Sequence, residues 1–317
     1  MKLGILLKQQ VINDIKLFHM NFIKSITLIF SFIFITSCGE KMKKEVVTIP
    51  PVKETISQQV DSAVKLLDQN ISSLKTIATL DHHGMAAEVG VYTPPSTVTI
   101  FSDPKVDIAI IKENQLVSLD LPFKVLCYTE ADTTKVSVAY TSAEFIQKRH
   151  QLEDSVLLDY NSHMRKILAS FPEEMISKTK VNSVDEGFGI VKIKSDFDYA
   201  TTVQNLRDIV MSQGDTKWFA DIDYQKEAAD LDITIRPTIL LLFGGPGPGG
   251  KAMMTSPKIG LDAFCQKLLV YENSNGEVWV AYNDIVAFAE LYYKQSTKPQ
   301  QMINQRLNMT FSKAVKK

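Results

Sequence analysis

The sequence has few of the residues that carry metal and redox chemistry. Its 317 residues include three cysteines and five histidines, and no two cysteines form a Cys-x-x-Cys pair. Zinc, iron–sulfur and thioredoxin-like sites usually depend on such pairs, so these motifs are excluded. We also find no Ser-His-Asp or Cys-His arrangement that would supply a nucleophile and its base. The sequence therefore favours a protein that is not an enzyme.

An excess of charge of one sign is also missing. The 35 Lys and Arg residues nearly balance the 36 Asp and Glu residues, and the net charge is −1. Nucleic-acid-binding domains usually carry a basic face, so we expect no nucleic-acid partner. With 45% hydrophobic and 22% charged residues, the composition is that of an ordinary globular protein long enough for two domains.

Long apolar runs are missing as well. A membrane-spanning helix needs about 20 residues, and the N-terminal apolar run, Ile26–Ile35, is far shorter. Lys24 precedes this run and small residues follow it, a pattern typical of a secretory signal. The end of the run, from Ile35 to Cys38, resembles the lipobox at which bacterial lipoproteins are cleaved and acylated. We therefore expect residues 1–37 to be a signal peptide and Cys38 to carry lipid such as palmitate.

This N-terminus also predicts where the protein resides. A lipidated Cys38 would anchor the chain to a membrane of the bacterial cell envelope. Gly39, where an aspartate would favour the inner membrane in enterobacteria, indicates the outer membrane by analogy. Residues 38–56 are rich in lysine and contain two adjacent prolines, which predicts a flexible tether. The sequence leaves two alternatives: an uncleaved N-terminal anchor, and Met20 rather than Met1 as the first residue.

Beyond the tether, the chain repeats itself at a fixed offset of 142 residues. The matched pairs include Asp81 with Asp223, Pro95 with Pro237, Phe101 with Phe243, Asp120 with Asp262, and Tyr140 with Tyr282. Chance matches would scatter over many offsets, so one offset held over about 60 residues indicates a duplication. We expect two domains, over residues 57–152 and 188–296, with a helical connector over 153–187 and a tail over 297–317.

Both copies show the same order of strand and helix patterns. Strands are predicted over residues 96–101, 124–128 and 135–140, and over 238–243, 267–271 and 277–282. The segment Asn273–Gly276 is typical of a hairpin turn, and Asn283-Asp284 is typical of the N-cap of a helix over 285–293. Regular βαβ alternation is not seen, so we predict an α+β fold: two tandem small domains, each a mainly antiparallel sheet with packed helices.

The second copy resembles the domain of unknown function 302 family. The resemblance lies in residues 236–245, 259–262, 267–272 and 276–284, and the first copy has weaker counterparts at 97–101, 119–122 and 136–140. The resemblance implies a small α+β fold that often forms dimers and has no settled biochemical activity. A tandem chain could satisfy that pairing internally, so we expect the copies to pack as an internal pseudo-dimer.

The segment Gly245–Ala252 matches the spacing of a phosphate-binding loop, GxxxxGK, after a predicted strand. Such a loop needs successive backbone N–H groups and a hydroxyl that holds Mg²⁺. Pro246 and Pro248 remove two of these donors, and Ala252 stands in place of the hydroxyl residue. We therefore expect an ordinary loop that binds no nucleotide.

The pair Asp81-His82 offers the best concentration of chemistry and is the candidate ligand-binding site, although a structural role is the interpretation that we favour. Imidazole ligates haem iron or transition metals, and a nearby carboxylate can fix its tautomer. The family resemblance places Asp-His at this position, whereas the second copy has Asp223-Tyr224. The structural interpretation is a polar cluster in which Asp81 caps the following segment. The cofactor is unknown at this stage, with haem or a metal as the candidates.

These observations favour a lipid-anchored, non-enzymatic protein that binds an unidentified ligand or protein partner, with any site between the two copies. A haem or metal protein centred on His82 is the first alternative, and an enzyme of unrecognised class is the second.

Lipidation can be tested directly at Cys38. We expect Cys38→Ala to release the protein from membranes or leave its signal uncleaved, because no other cysteine follows the apolar run closely. Metabolic palmitate labelling with membrane fractionation measures both effects. Labelling that persists in the variant would contradict the assignment.

Overall fold

A computed structural model of the protein describes residues 55–179 and 181–317. The expected signal peptide, Cys38 and nearly all of the expected tether lie outside these residues. Within the part that is described, no helix combines the length and apolar character that crossing a membrane requires.

The first half of the described chain forms one five-stranded sheet with five helices. Its elements are α1 (Ile56–Asn70), β1 (Lys75–Asp81), α2 (His82–Ala87), β2 (Ser96–Ser102), α3 (Pro104–Glu113), β3 (Phe123–Thr129), β4 (Val136–Tyr140), α4 (Ala143–His150), α5 (Leu158–Leu168) and β5 (Ile176–Lys178). The strand order is β1-β2-β3-β4-β5. All neighbours are antiparallel except β4 and β5, which run parallel.

The second half forms another five-stranded sheet. Its elements are β6 (Ile190–Lys194), α6 (Tyr199–Met211), β7 (Lys217–Asp223), α7 (Tyr224–Ala229), β8 (Thr238–Gly244), α8 (Pro246–Met253), β9 (Gln266–Glu272), β10 (Val278–Asn283), α9 (Ile285–Tyr293) and α10 (Lys298–Val315). The strand order is β6-β10-β9-β8-β7, and all neighbours are antiparallel. The predicted α+β class with two tandem domains is confirmed.

Strand register shows the duplication in detail. Lys75 lies opposite Ser102 in the first sheet, and Lys217 lies opposite Gly244 in the second, each residue shifted by 142. The same irregularity interrupts both pairs, between residues 76 and 78 and between 218 and 220. The six strands expected from sequence are present. The edge strands β1 and β7, which we did not predict, are only partly buried and have weaker apolar patterns.

Each half is completed by a helix that lies outside the expected domain bounds. In the segment 153–187, expected as a connector, α5 packs against α1 and β5 extends the first sheet. In the segment 297–317, expected as a tail, α10 packs against α6 in the corresponding way. Both helices bury an apolar face, which includes Met164 in α5 and Phe311 in α10.

The central strands are buried on both faces, because the second sheet contributes to two cores. One face of β8, with Leu240 and Leu242, belongs to a core that continues into the first half. The other face, with Leu241 and Phe243, packs with the helices of the second half. An antiparallel sheet that faced water on one side would alternate apolar and polar residues. The continuous apolar run of β8 is therefore explained by its position between two packed layers.

The glycine-rich segment Gly245–Ala252, expected as a loop, instead contains most of helix α8. Pro246 occupies the first helical position, where proline costs nothing because that N–H has no partner within the helix. Glycine normally disfavours a helix, but here it permits close packing of α8 against α2. A Cβ atom at Gly250 would lie 2.6 Å from the Ala86 Cβ. Tertiary packing therefore overrides the local preference for a loop.

Gly250→Ala should lower the free energy of unfolding by about 1–3 kcal/mol, because the added methyl group overpacks the contact with α2. Gly247→Ala is the matched control, since its Cβ would meet only Val89, at 3.8 Å. That variant should be neutral or stabilised by up to about 1 kcal/mol, because alanine favours a helix. Urea denaturation of the purified chain measures both changes. Equal stability of the two variants would refute the close-packing explanation.

Candidate functional site

A cleft lies between the two halves of the chain, at the start of α2. His82 and Met85 line it from the first half, while Met253, Phe264 and Cys265 line it from the second. Gly244–Gly250 supplies further wall, so backbone rather than side chains forms much of that side. The space in the cleft that admits a water-sized sphere is about 30 Å³. Among the described residues, no carboxylate lines it.

His82 has an unusual hydrogen-bonding state within this cleft. Its Nε2 lies 3.1 Å from the Phe264 carbonyl oxygen, an acceptor, so Nε2 carries the proton and donates. Its Nδ1 has no hydrogen-bond partner among the described residues, although the side chain is only 7% exposed. Burial lowers the pKa of His82 to about 4, despite opposing effects of the Phe264 carbonyl, of Asp81 and of the Ser96 backbone. The imidazole is therefore neutral at physiological pH, and the lone pair is on Nδ1.

The neighbouring aspartates have a structural role. The Asp81 side chain accepts a hydrogen bond from the Gly84 N–H at 2.9 Å and caps α2. Asp223 does the same for α7, with the Lys226 N–H at 3.0 Å. Of the four residues singled out in the sequence, these two are helix caps and do not line the cleft.

Tyr224, the counterpart of His82, lies in a different environment. It is fully buried, and its hydroxyl has no hydrogen-bond partner within the described residues. Burial raises the pKa of Tyr224 well above its ordinary value, and the charges of Asp107 and Glu227 add to this effect. Its helix, α7, packs against α3 of the first half, just as α2 packs against α8 of the second. His82 and Tyr224 therefore belong to two equivalent contacts and do not share one cleft.

A second polar cluster, fully buried, joins the halves elsewhere. Arg149 Nη1 donates to both carboxylate oxygens of Asp120, each at 2.9 Å, and His150 Nε2 donates to Asp120 Oδ2 at 2.6 Å. Lys124 Nζ donates to the Asp120 carbonyl and forms a 3.2 Å ion pair with Asp262. The matched aspartates of the two copies are thus linked through one lysine.

Arg149 also contacts four groups of the second half, one of which is the Gly189 carbonyl, 3.4 Å from its Nη2. Its Nη2 donates to Asn283 Oδ1 at 2.7 Å, and its Nε donates to the Phe188 carbonyl at 2.8 Å. The guanidinium carbon lies 5.1 Å from the centre of the Phe288 ring. Tyr292, the counterpart of His150, donates its hydroxyl to Asp262. We name the cluster of Asp120, Lys124, Arg149, His150, Asp262 and Tyr292 the interhalf network.

Several titratable groups in and beside this network have shifted pKa values. Burial alone raises the pKa of Asp120, but Arg149, His150 and Lys124 outweigh it and hold that pKa well below its ordinary value. Burial lowers the pKa of His150, which favours the neutral ring that donates to Asp120. Lys267 beside the network also has a strongly lowered pKa, first from burial and then from nearby Lys124.

Sequence reasoning did not find Lys124, Arg149 or Lys267. The fixed offset of 142 pairs Lys124 with Gln266, whereas the strand register pairs it with Lys267 because one extra residue precedes β9. An alignment that allowed this insertion would have matched the two lysines. Arg149 has no charged counterpart, since Leu291 occupies its position in the second copy. Among the described residues, no group of three or more His, Cys, Asp or Glu side chains is placed to hold a metal ion.

Comparison with known proteins identifies the two halves. The family model described as "Domain of unknown function DUF302" matches residues 52–171 and residues 191–314. These ranges include α5 and most of α10, which the expected domain bounds left outside. A solved structure described as an uncharacterized conserved DUF302 protein from Bacillus stearothermophilus aligns with 40% of this chain and 95% of its own. Its sequence identity is 11% and its TM-score is 0.33, too low to support a structural argument.

Two curated proteins share a shorter segment with this chain. They are the fluoride-specific ion channels FluC 1 of Brucella suis and FluC 1 of Brucella abortus, each 30% identical over 96 residues. The matched segment is 30% of this chain and spans 37% and 35% of the two channel proteins.

Asp120→Asn should destabilise the protein by about 3–5 kcal/mol, because it leaves Arg149 buried with no opposing charge beside it. The loss should shrink as the pH falls below about 4, since the stabilisation by a carboxylate of lowered pKa disappears as it is protonated. Asp103→Asn is the matched control, because Asp103 pairs with His163 at a partly exposed position. Denaturant unfolding at several pH values should show less than about 1 kcal/mol for that control. Similar losses in both variants would contradict the assigned role of the network.

Proposed function

The chain belongs to the DUF302 family, whose description assigns no activity, and we propose that it is a lipid-anchored envelope protein that binds a small ligand. The proposed site is the cleft lined by His82, and binding involves no chemical reaction. The anchor rests on the lipobox-like sequence that ends at Cys38.

The free Nδ1 of His82 is the observation that carries the proposal. A buried polar atom without a partner costs about 1–3 kcal/mol, so most are satisfied by protein, water or a ligand. Here the orphan atom lies at a cleft between two packed halves, which is a preferred location for binding sites. A ligand that accepts the lone pair of Nδ1 would remove the cost of leaving that atom without a partner.

The positions of the residues with shifted pKa values favour ligand binding over catalysis. Asp120, His150 and Lys267 have shifted pKa values, which is a common feature of catalytic residues. None of them lines the cleft, and Asp120 and His150 are bonded to each other between the halves. A substrate in the cleft would meet His82 and the thiol of Cys265, whose pKa burial raises to about 11.

The size of the cleft favours a small ligand or an ion over haem. A water-sized sphere finds only about 30 Å³ of space in it, far below the roughly 300–1,000 Å³ of pockets for drug-sized ligands, so it suits an ion or a ligand of a few atoms. Haem iron would also need an open face beside the imidazole, and here α8 closes against α2. We do not extend fluoride transport to this chain, because the matched segment covers little more than a third of those channels.

Native mass spectrometry of the chain purified from its own envelope tests the proposal. We expect a small additional mass on the wild-type protein that is lost in His82→Phe, because phenylalanine removes Nδ1. Tyr224→Phe is the matched control, since it removes the orphan hydroxyl at the equivalent position of the other half. It should retain the additional mass. A wild-type mass without any ligand, or a ligand unaffected by His82→Phe, would refute binding in this cleft.

A further inference from the structure

The cleft combines imidazole with sulfur donors from both halves. His82 and Met85 are three residues apart on α2, so their side chains project from the same face of the helix. Met253, at the end of α8, approaches from the second half and is fully buried. Cys265 lies in the same wall. These four side chains carry the nitrogen and sulfur donors of the cleft.

Gly260 shows how close two of these donors are. A Cβ atom at Gly260 would lie 2.7 Å from the Met253 Cε and 3.3 Å from the His82 Nδ1. The methyl group of Met253 is therefore within about 6 Å of the orphan nitrogen. Methionine has three rotatable bonds, and a change of rotamer about the first two moves its sulfur without backbone movement.

The imidazole is already in the state that a metal ligand requires. Metal-bound histidines usually donate their other ring N–H to a carbonyl or carboxylate, which fixes the tautomer. The Phe264 carbonyl has this role for His82, because it accepts the proton of Nε2. The remaining nitrogen, Nδ1, is buried beside Gly260 and Met253, carries no proton, and has no hydrogen-bond partner among the described residues.

We propose that the cleft binds a soft monovalent metal ion, Cu(I), through the Nδ1 of His82 and the thioether sulfurs of Met253 and Met85. This inference rests on the proposed function and names the ligand class for the same site. Thioether and thiolate sulfur favour Cu(I), and imidazole also binds copper.

The lining explains why the ion is monovalent. No carboxylate lines the cleft, and its walls are glycine, proline, phenylalanine and methionine. Such walls offer little to offset the desolvation of a divalent ion, whereas an ion of single charge loses much less hydration energy. Hard divalent ions prefer carboxylate oxygens, and no carboxylate of the described residues lines the cleft.

The duplicated position in the other half has no comparable donors. Tyr224 replaces His82, Glu227 stands where Met85 would be, and Ile111 stands where Met253 would be. Of the two duplicated positions, the His82 cleft alone should therefore bind Cu(I), one ion per chain.

Anaerobic titration of the full-length chain with Cu(I), in competition with a chromophoric Cu(I) chelator, tests the inference. We expect one ion per chain in the wild type and at least tenfold weaker binding in Met253→Leu, which conserves volume and removes the sulfur. Met254→Leu is the matched control, because Met254 is 40% exposed and lies outside the cleft lining. X-ray absorption at the copper edge should show one sulfur neighbour fewer in Met253→Leu and an unchanged set in Met254→Leu.

The outcomes separate this inference from the proposed function. No Cu(I) binding, or equal affinity in the two leucine variants, overturns the copper site. If an organic mass that depends on His82 is then found on the native protein, the proposed function stands without copper. If neither Cu(I) nor any other ligand depends on His82, both proposals are wrong.

Discussion

The structure depends on compensation of buried charge between its two halves. Asp120 and Arg149 are both fully buried, and an uncompensated charge at such a position costs several kcal/mol. Arg149 completes its hydrogen bonds with Asn283 and with the Phe188 and Gly189 carbonyls of the second half. Separation of the halves would expose the shared core and leave these groups without their partners. We propose that the arrangement is a pseudo-dimer within one chain, in which each half requires the other.

Duplication explains how one of two equivalent contacts could acquire the proposed binding site while the other did not. Reciprocal contacts, α2 with α8 and α7 with α3, arise from the same ancestral pair of elements. Because the two contacts are encoded by different parts of one chain, a substitution in one contact need not occur in the other. The contact at Tyr224 has an oxygen-rich neighbourhood that includes Asp107, whereas the contact at His82 has glycines and sulfur donors. The glycines of α8 permit its close approach to α2 and also form the wall of the cleft, so packing and site share the same residues.

The sequence was sufficient to predict the repeated, strongly periodic elements. It was not sufficient where contacts between distant residues determine the local structure. The hairpin turn with Gly276 and the cap Asp284 were expected because local backbone chemistry determines them, and both are present. Helix α8 was missed because glycine disfavours a helix, and the close packing of Gly250 against Ala86 that offsets this preference joins residues far apart in the sequence. His82 was recognised as a candidate, but neither Met253 nor the Phe264 carbonyl could be placed beside it, since each is more than 170 residues away in the sequence.

The dependence of each half on the other can be measured by native-state hydrogen exchange. The amides of Leu126 in β3 and Leu269 in β9 lie in the central strands of the two sheets and are completely buried. If the interhalf network couples the halves, both amides should exchange only through global unfolding, with the same free energy of opening and the same dependence on denaturant. An opening that exposes Leu126 while Leu269 stays protected, or the reverse, would show that the halves unfold independently and would contradict the account.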